Sequence, residues 1–305
     1  KQLLFQRTKV HKMGDNLDAL KELRDITGAG MLDCKKYLEA SSGNVDEAVK
    51  LMRSEQGVIA DKKSIRIAAE GSVQFIHKDK KSMLIEINSE TDFVARSDDF
   101  KDFVMDISNK IISFDFTEDT ECNDFSSLVT NSNSIFQEID NQRTDLISKI
   151  GENIRIRRFI VKMTSDNYIN GYVHNDKIGA MVVLDRKDEN LSKDVCMQIV
   201  AMNPIALDQD TIDSEILSSE KEIYKKELEK IDKKEDIKRN ILEGKIKKFI
   251  IENTLLNQPF IKDSTTNLKK ILNDNRIVNY YRYQLGDGIE KNNDDFAKEV
   301  YSQIK

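Results

Sequence analysis

Twice in this chain a short apolar run reverses at a polar turn, returns as a second run and then gives way to a helix, and from residue 72 the hydrophobic pattern takes up a period of two. The first occurrence runs Val73-Gln74-Phe75-Ile76-His77, turns at Lys78-Asp79-Lys80-Lys81 and returns as Ser82-Met83-Leu84-Ile85-Glu86-Ile87-Asn88, which alternates like a half-buried strand. Phe100, Phe103, Val104, Ile107 and Ile111 follow at i, i+3, i+4, i+7 and i+11, one face of a helix near 98–112, and a strand from Ile154 to Met163 closes the unit. The second occurrence is Ile169–His174, a turn at Asn175-Asp176-Lys177, Ile178–Leu184, and a helix on Leu191, Val195, Ile199 and Met202 stopped at Asn203-Pro204. Its third strand comes much later, at Asn275–Tyr283. Hairpin, helix and strand in the same order twice restrict the chain to an internally duplicated α+β core.

The flanks have a different period. Residues 1–16 form an amino-terminal extension, and 17–56 read as a three-helix module of the ubiquitin-associated (UBA-like) type. Leu17, Leu20 and Leu23 supply its first stripe, Thr27-Gly28-Ala29-Gly30 breaks it, and Met31, Cys34 and Leu38 supply the second. Asn44 with Glu47 is a capping-box pair that opens the third helix. Met31 and Leu32 lie about 100° apart on a helix, so short helices cannot bury both, and one is expected at the surface. Residues 57–71 are a charged, partly helical linker, 72–163 the first core subdomain, and 164–210 with 253–288 the second. Between these last two segments, 211–252 repeats Leu217, Tyr224 and Ile231 every seven residues, bends at Lys230–Asp236 and resumes with Ile237, Ile241, Ile246, Phe249 and Ile250. That is an inserted antiparallel coiled-coil hairpin. A carboxy-terminal helix is expected over 289–305, and the polar, acidic stretch 113–133 is expected to be a mobile loop.

Several function classes are disfavoured. A net charge of −6 argues against a general nucleic-acid binder, because phosphate contacts need clustered Lys and Arg. Arg155, Arg157 and Arg158 are the local exception; they sit on an alternating strand and read as a solvated sheet face, with an RNA-binding strand as the rival. Cys34, Cys122 and Cys196 are odd in number and widely spaced, which fits a reducing compartment without disulfides. The three His are scattered and no CxxC or HExxH occurs, so neither a metal site nor a cofactor is expected. No apolar run approaches the roughly 20 residues that cross a bilayer, and no membrane partner is expected. Without a phosphate-cradling glycine loop or a nucleophile constellation, an enzyme is the least supported class.

The stretch with the most to say about function is Thr91-Asp92-Phe93-Val94-Ala95-Arg96, placed where the chain passes from a core strand to a core helix, with Asp98 and Asp99 beside it. On spacing alone, either Thr91 or Asp92 caps the helix and Phe93 folds back onto it, or Phe93 is an exposed aromatic probe.

Four stretches in order, GMLDCKKYL (30–38), TDFVAR (91–96), GENIRIRRF (151–159) and QPFIK (258–262), make the chain similar to the elongation factor Ts family from about Asp18 to Glu290. These are nucleotide-exchange factors for the translational GTPase elongation factor Tu. The resemblance implies that the partner is elongation factor Tu in its GDP form, with no direct nucleic-acid role. It implies further that Phe93 inserts into an apolar pocket of that partner and that Asp92 perturbs the helix bordering its Mg²⁺ site, with Thr91 and Val94 flanking. Met31 and Leu32 would face helix D of the nucleotide domain, with Arg24 and Lys35 meeting carboxylates there. Ile150-Gly151 matches a helix-end contact, although a helix C-cap accounts for Gly151 by itself. His174 matches a position that meets the partner's third domain, Ile261 either packs on the partner or closes the core, and Lys63 corresponds roughly to a further contact. Some family members self-associate through the coiled coil. A scaffold that binds helical or ubiquitin-like partners through the amino module and coiled coil is the alternative. The basic start Leu3–Lys9, beginning at Lys1, favours an organelle matrix, mitochondrion or plastid, over a bacterial cytoplasm.

Overall fold

The computed structural model describes residues 17–27, 29–130, 134–165 and 167–290. The amino-terminal extension, the break at Gly28 and all but the first residues of the expected carboxy-terminal helix lie outside the described residues. Three helices come first: α1 (17–27), α2 (Met31–Ala40) and α3 (Val45–Ser64). Their small core is Leu23, Cys34, Tyr37, Leu38, Ala48 and Met52. Leu17, expected in the first stripe, is exposed, and so are both Met31 and Leu32. The Asn44 side chain accepts from the Glu47 amide as expected, but α3 does not stop near Gln56. It continues through Gly57, whose missing side chain has open space around it, to a last turn with Lys62 and Lys63 at the negative end of the helix dipole.

The first sheet has the order β1 (Glu70–Lys78), β2 (Lys81–Ser89), β4 (Arg155–Met163), β3 (Thr120–Cys122). The second has the order β5 (Tyr168–His174), β6 (Ile178–Leu184), β9 (Ile277–Gln284). All these pairings are antiparallel. In both sheets the returning arm of the hairpin is central and the late strand pairs with it, across a register shift at Glu86/Ile87 in one and at Val183/Leu184 in the other. Helices α5 (Asp98–Ser113) and α7 (Ser134–Ile150) cover one face of the first sheet, where Phe100, Val104, Ile107 and Ile111 meet Met83, Ile85 and Ile87. Helix α8 (Glu189–Met202) covers the second sheet through Leu191, Val195, Cys196 and Ile199.

The remaining faces pack on each other. Val73, Leu84 and Ile160 of the first sheet meet Ile169, Met181, Val183 and Tyr283 of the second. β2 is therefore buried on both faces from Ser82 to Ser89, not half-buried as its alternation suggests. Approach is close: a Cβ on Gly171 would lie 2.3 Å from the Phe75 ring, and one on Gly179 would lie 2.7 Å from Val73. Glu86 points into this seam, fully buried. Its carboxylate accepts from Arg157 Nη1 at 2.9 Å, Arg158 Nε at 2.7 Å and the Gly286 amide at 2.8 Å. Arg158 also stacks over the Tyr283 ring at 4.3 Å. The expected solvated basic face thus applies to Arg155 alone, and the rival RNA-binding strand loses two of its three cations to a buried acid.

The stretch 113–133 is not a bare loop. Residues 131–133 lie outside the described residues, but before them β3 adds to the free edge of β4 and α6 (Phe125–Thr130) follows. Phe116, Cys122 and Phe125 are buried, and Phe114 packs against Phe116 and Phe136 with ring centroids 4.9 Å apart in each pair. Apolar anchors spaced among the acids hold the segment down. The insertion consists of α9 (Ser214–Glu229) and α10 (Glu235–Asn253), which pack together with Leu228 buried and Lys245 bonded to Glu227. Their helices break within the expected bend, so Ile231 falls in the connection and not on the α9 stripe. A two-strand ribbon, β7 (Pro259–Phe260) with β8 (Asp263–Asn267), and the short α11 (Leu268–Ile271) lead into β9.

Candidate functional site

β2 ends at Ser89, whose hydroxyl donates to the Thr91 carbonyl at 3.0 Å. Thr91 then takes extended backbone angles and caps a helix of a single turn, α4 (Asp92–Arg96), its Oγ1 accepting from the Val94 amide at 3.3 Å. Ser97 ends that turn and caps α5, accepting from the Phe100 amide at 3.3 Å and donating to the Val94 carbonyl at 2.7 Å. Capping belongs to Thr91; the Asp92 carboxylate instead accepts from Arg96 Nη2 at 2.6 Å, one turn on.

Adjacent helical residues point about 100° apart, so the inward packing of Val94 on the first core decides where Phe93 goes. Phe93 is 81% exposed. The folded-back alternative is excluded: the ring is held out by a doubly capped turn whose other side is anchored. Around it are Asp92, Asp98 and Asp99, of which Asp99 is bonded to Lys149 at 2.7 Å.

The end of α7 lies next to this turn. Gly151 takes φ +87, the left-handed C-cap geometry, with its amide on the Ile147 carbonyl at 2.8 Å. Ile150 is partly buried against the first core, so only part of it is left for a contact. Lys63 donates to the Gly151 carbonyl, so its ammonium already has a bond within the fold. Sequence reading missed the next two residues. Glu152 accepts from the Thr91 amide at 3.0 Å and from Thr91 Oγ1 at 2.7 Å. Asn153, buried, donates from its backbone to Glu90 at 2.6 Å and from its side chain to the Arg66 carbonyl at 2.8 Å. Both lie inside the GENIRIRRF stretch, but a polar pair ahead of a strand carries no spacing signal of its own.

His174 closes β5 at the tip of the second hairpin, exposed, its ring bonded to Tyr172 and Asn175 at 3.1 and 3.2 Å. That tip lies at the same end of the sheets as the Thr91 turn. Lys177 pairs with Glu70 at 3.8 Å, and Glu70 is the register partner of Ser89. Met31 and Leu32, 48% and 83% exposed, open α2 and form a second apolar patch; Lys35 is exposed one turn on with Glu39 3.9 Å away, and Arg24 is exposed on α1. Ile261 projects from the β7–β8 turn, its amide fastened to Gln198 Oε1 at 2.7 Å, so it does not close the core; buried Phe260 does.

Among the described residues no cluster of His, Cys, Asp or Glu is arranged to hold a metal ion, and no helix is long and apolar enough to cross a membrane. A sequence model of the family described as elongation factor TS matches residues 90–287. Elongation factor Ts of Francisella tularensis subsp. novicida is 38% identical over 288 residues, covering 94% of this chain and 97% of that protein. Elongation factor Ts of Alkalilimnicola ehrlichii is 37% identical over 297 residues, covering 96% and 99%. With the duplicated sheet-and-helix core in place and likeness at this level running nearly end to end, the chain belongs to the elongation factor Ts family.

Proposed function

We propose that this protein is a guanine-nucleotide exchange factor that binds elongation factor Tu·GDP and speeds GDP release during translation elongation. The observation that carries the reading is the Phe93 ring, solvent-facing on a turn fixed by caps at both ends. A large apolar side chain held in water by a rigid turn gains only when something else covers it. Burying it is worth roughly 1.5–3 kcal/mol.

A GTPase holds its nucleotide largely through phosphates and Mg²⁺, so moving the groups around the metal weakens GDP without making or breaking a bond. Phe93 is the wedge and Asp92 the polar lever. Asp92 reaches the partner by giving up its bond to exposed Arg96, an exposed pair worth only a few tenths of a kcal/mol in a helix. Met31 and Leu32, with Arg24 and Lys35 beside them, hold the partner's nucleotide domain, while His174, Ile150-Gly151 and Ile261 add contacts. The first three helices act as the UBA-like docking module, and the α9–α10 pair as a coiled-coil arm available for self-association. The relatives named above are bacterial, which supports a bacterial cytoplasm as the setting; the organelle expectation rested on residues outside the described set.

Each 1.4 kcal/mol directed against GDP is tenfold in its affinity, and linkage requires GDP to weaken the factor equally. The test is stopped-flow release of fluorescently labelled GDP from elongation factor Tu with substoichiometric amounts of this chain. Multiple-turnover acceleration, with factor affinity that falls as free GDP rises, is the expected result. Binding without any acceleration would overturn the reading in favour of a scaffold.

A further inference from the structure

The Phe93 turn and the Met31–Leu32 patch belong to different parts of the chain, yet residues 151–153 touch the supports of both. Glu152 takes both donors of Thr91, the amide on Oε2 at 3.0 Å and the hydroxyl on Oε1 at 2.7 Å. Asn153 binds Glu90, next to Thr91, and with Nδ2 reaches the Arg66 and Ser64 carbonyls at 2.8 and 3.4 Å, where α3 ends. Gly151 accepts from Lys63 in the last turn of α3, and Arg66 pairs with Glu90 at 3.6 Å. Helix α3 in turn carries Ala48 and Met52 into the core of the three-helix module.

A helix of a single turn has almost no stability of its own, since nucleation fixes several residues for one hydrogen bond. α4 therefore depends on its caps, and the Thr91 cap depends on what orients it. By accepting the Thr91 hydroxyl hydrogen, Glu152 leaves the Oγ1 lone pairs facing the Val94 amide; by accepting the Thr91 amide, it fixes the extended backbone that starts the turn.

We propose that Glu152 is the positioning residue that aims Phe93, and that Asn153 ties the same turn to the end of α3, so that the wedge and the amino-terminal docking face work as one rigid tool. This rests on the exchange reading given above. Glu152 makes no contact with the partner in this scheme; it sets the direction in which Phe93 enters.

The experiment measures labelled-GDP release from elongation factor Tu over a range of factor concentrations for the wild type, Glu152→Ala, Glu152→Gln and Phe93→Ala, with thermal melts of each. Charge-assisted hydrogen bonds of this kind support a drop of about tenfold or more in the plateau rate for Glu152→Ala. The half-saturating concentration should move by less than about threefold because the other patches still bind. Glu152→Gln, which keeps the volume and one acceptor, should fall between the two, and it decides on the same terms if Glu152→Ala does not fold. Glu152→Ala combined with Thr91→Ala should be no worse than the worse single change, because both break one linkage. A wild-type plateau in folded Glu152 variants, or additive losses in the double variant, would overturn the positioning role. Loss of the plateau in Phe93→Ala alone would leave the exchange reading standing without the Glu152 role; a wild-type plateau in Phe93→Ala would remove the wedge role and with it the aim assigned to Glu152, while absence of acceleration by the wild type would remove the exchange reading itself.

Discussion

Removing the carboxylate of Glu86 should loosen the join between the two sheets more than any other single charge deletion. Its side chain is fully buried, while the guanidinium side chains of Arg157 and Arg158 are only 18% and 20% exposed. Glu86→Ala leaves both cations without their counter-ion and leaves the Gly286 amide without its acceptor. Deleting one partner of a buried ion pair costs about 3–5 kcal/mol, and the residual exposure of the arginines argues for the lower end, about 3 kcal/mol. At roughly 2–4 °C per kcal/mol for a protein of this size class, the melting temperature should fall by about 6–12 °C. The assay is urea unfolding followed by circular dichroism, with a calorimetric melt beside it. Glu86→Gln keeps the shape and one acceptor and should lose less. Glu118→Ala, an exposed acid on the same unit, should stay within about 0.5 kcal/mol. A Glu86→Ala loss no larger than that control would refute the claim that this carboxylate binds the sheets together.

Other consequences follow from local geometry. Gly171→Ala places a Cβ 2.3 Å from the Phe75 ring, and overpacking of this kind should destabilise by about 1–3 kcal/mol in urea unfolding. The Gln209 amide, aided by Asn257, holds the Asp208 carboxyl below its ordinary 3.8. Because the folded-state value is depressed, that stabilisation is complete above the ordinary value and is lost as pH falls through the folded one. Asp208→Asn should therefore be less stable than wild type at neutral pH, with the difference closing in acid titration. Burial pushes the Cys122 thiol up to about 11 and Cys196 up to about 12, and Cys34 is buried too. A thiol-specific reagent at mildly alkaline pH should react slowly with the native protein and with all three thiols after denaturation; one fast native thiol would contradict the burial.

The elements that could be read from the chain are those whose signal is local. Both hairpins and their late third strands follow from short apolar or alternating runs bounded by polar turns, and the buried face of α5 follows from Phe100, Phe103, Val104, Ile107 and Ile111. What failed was decided at a distance. Gly57 looks like a stop, but a glycine inside a helix costs only about 1 kcal/mol, too little to end a helix that then packs on α7. Glu86 reads as the outer side of a strand because its partners are seventy residues and more downstream, and the second sheet that buries it is formed by another part of the chain. The segment 113–133 looks unable to bury itself by composition; Phe114, Phe116 and Phe125 show that a few well-placed rings outweigh many acids. At the site, Phe93 could be singled out from its place between strand and helix, but its exposure could not, because that depends on Val94 taking the inward position. Glu152 and Asn153 act through contacts with residues about sixty positions earlier, and neither has a sequence pattern that reports it.

The central claim concerns one exposed ring, and Phe93→Ala tests it most directly. The substituted chain should melt within about 1 °C of wild type, since little of the ring is buried, and should still bind the GDP form of the partner GTPase through its other patches. At saturation it should release labelled GDP about tenfold or more slowly. An unchanged rate at saturation would mean that the ring does not act on the partner's nucleotide site, and a large fall in melting temperature would mean that it serves this fold instead.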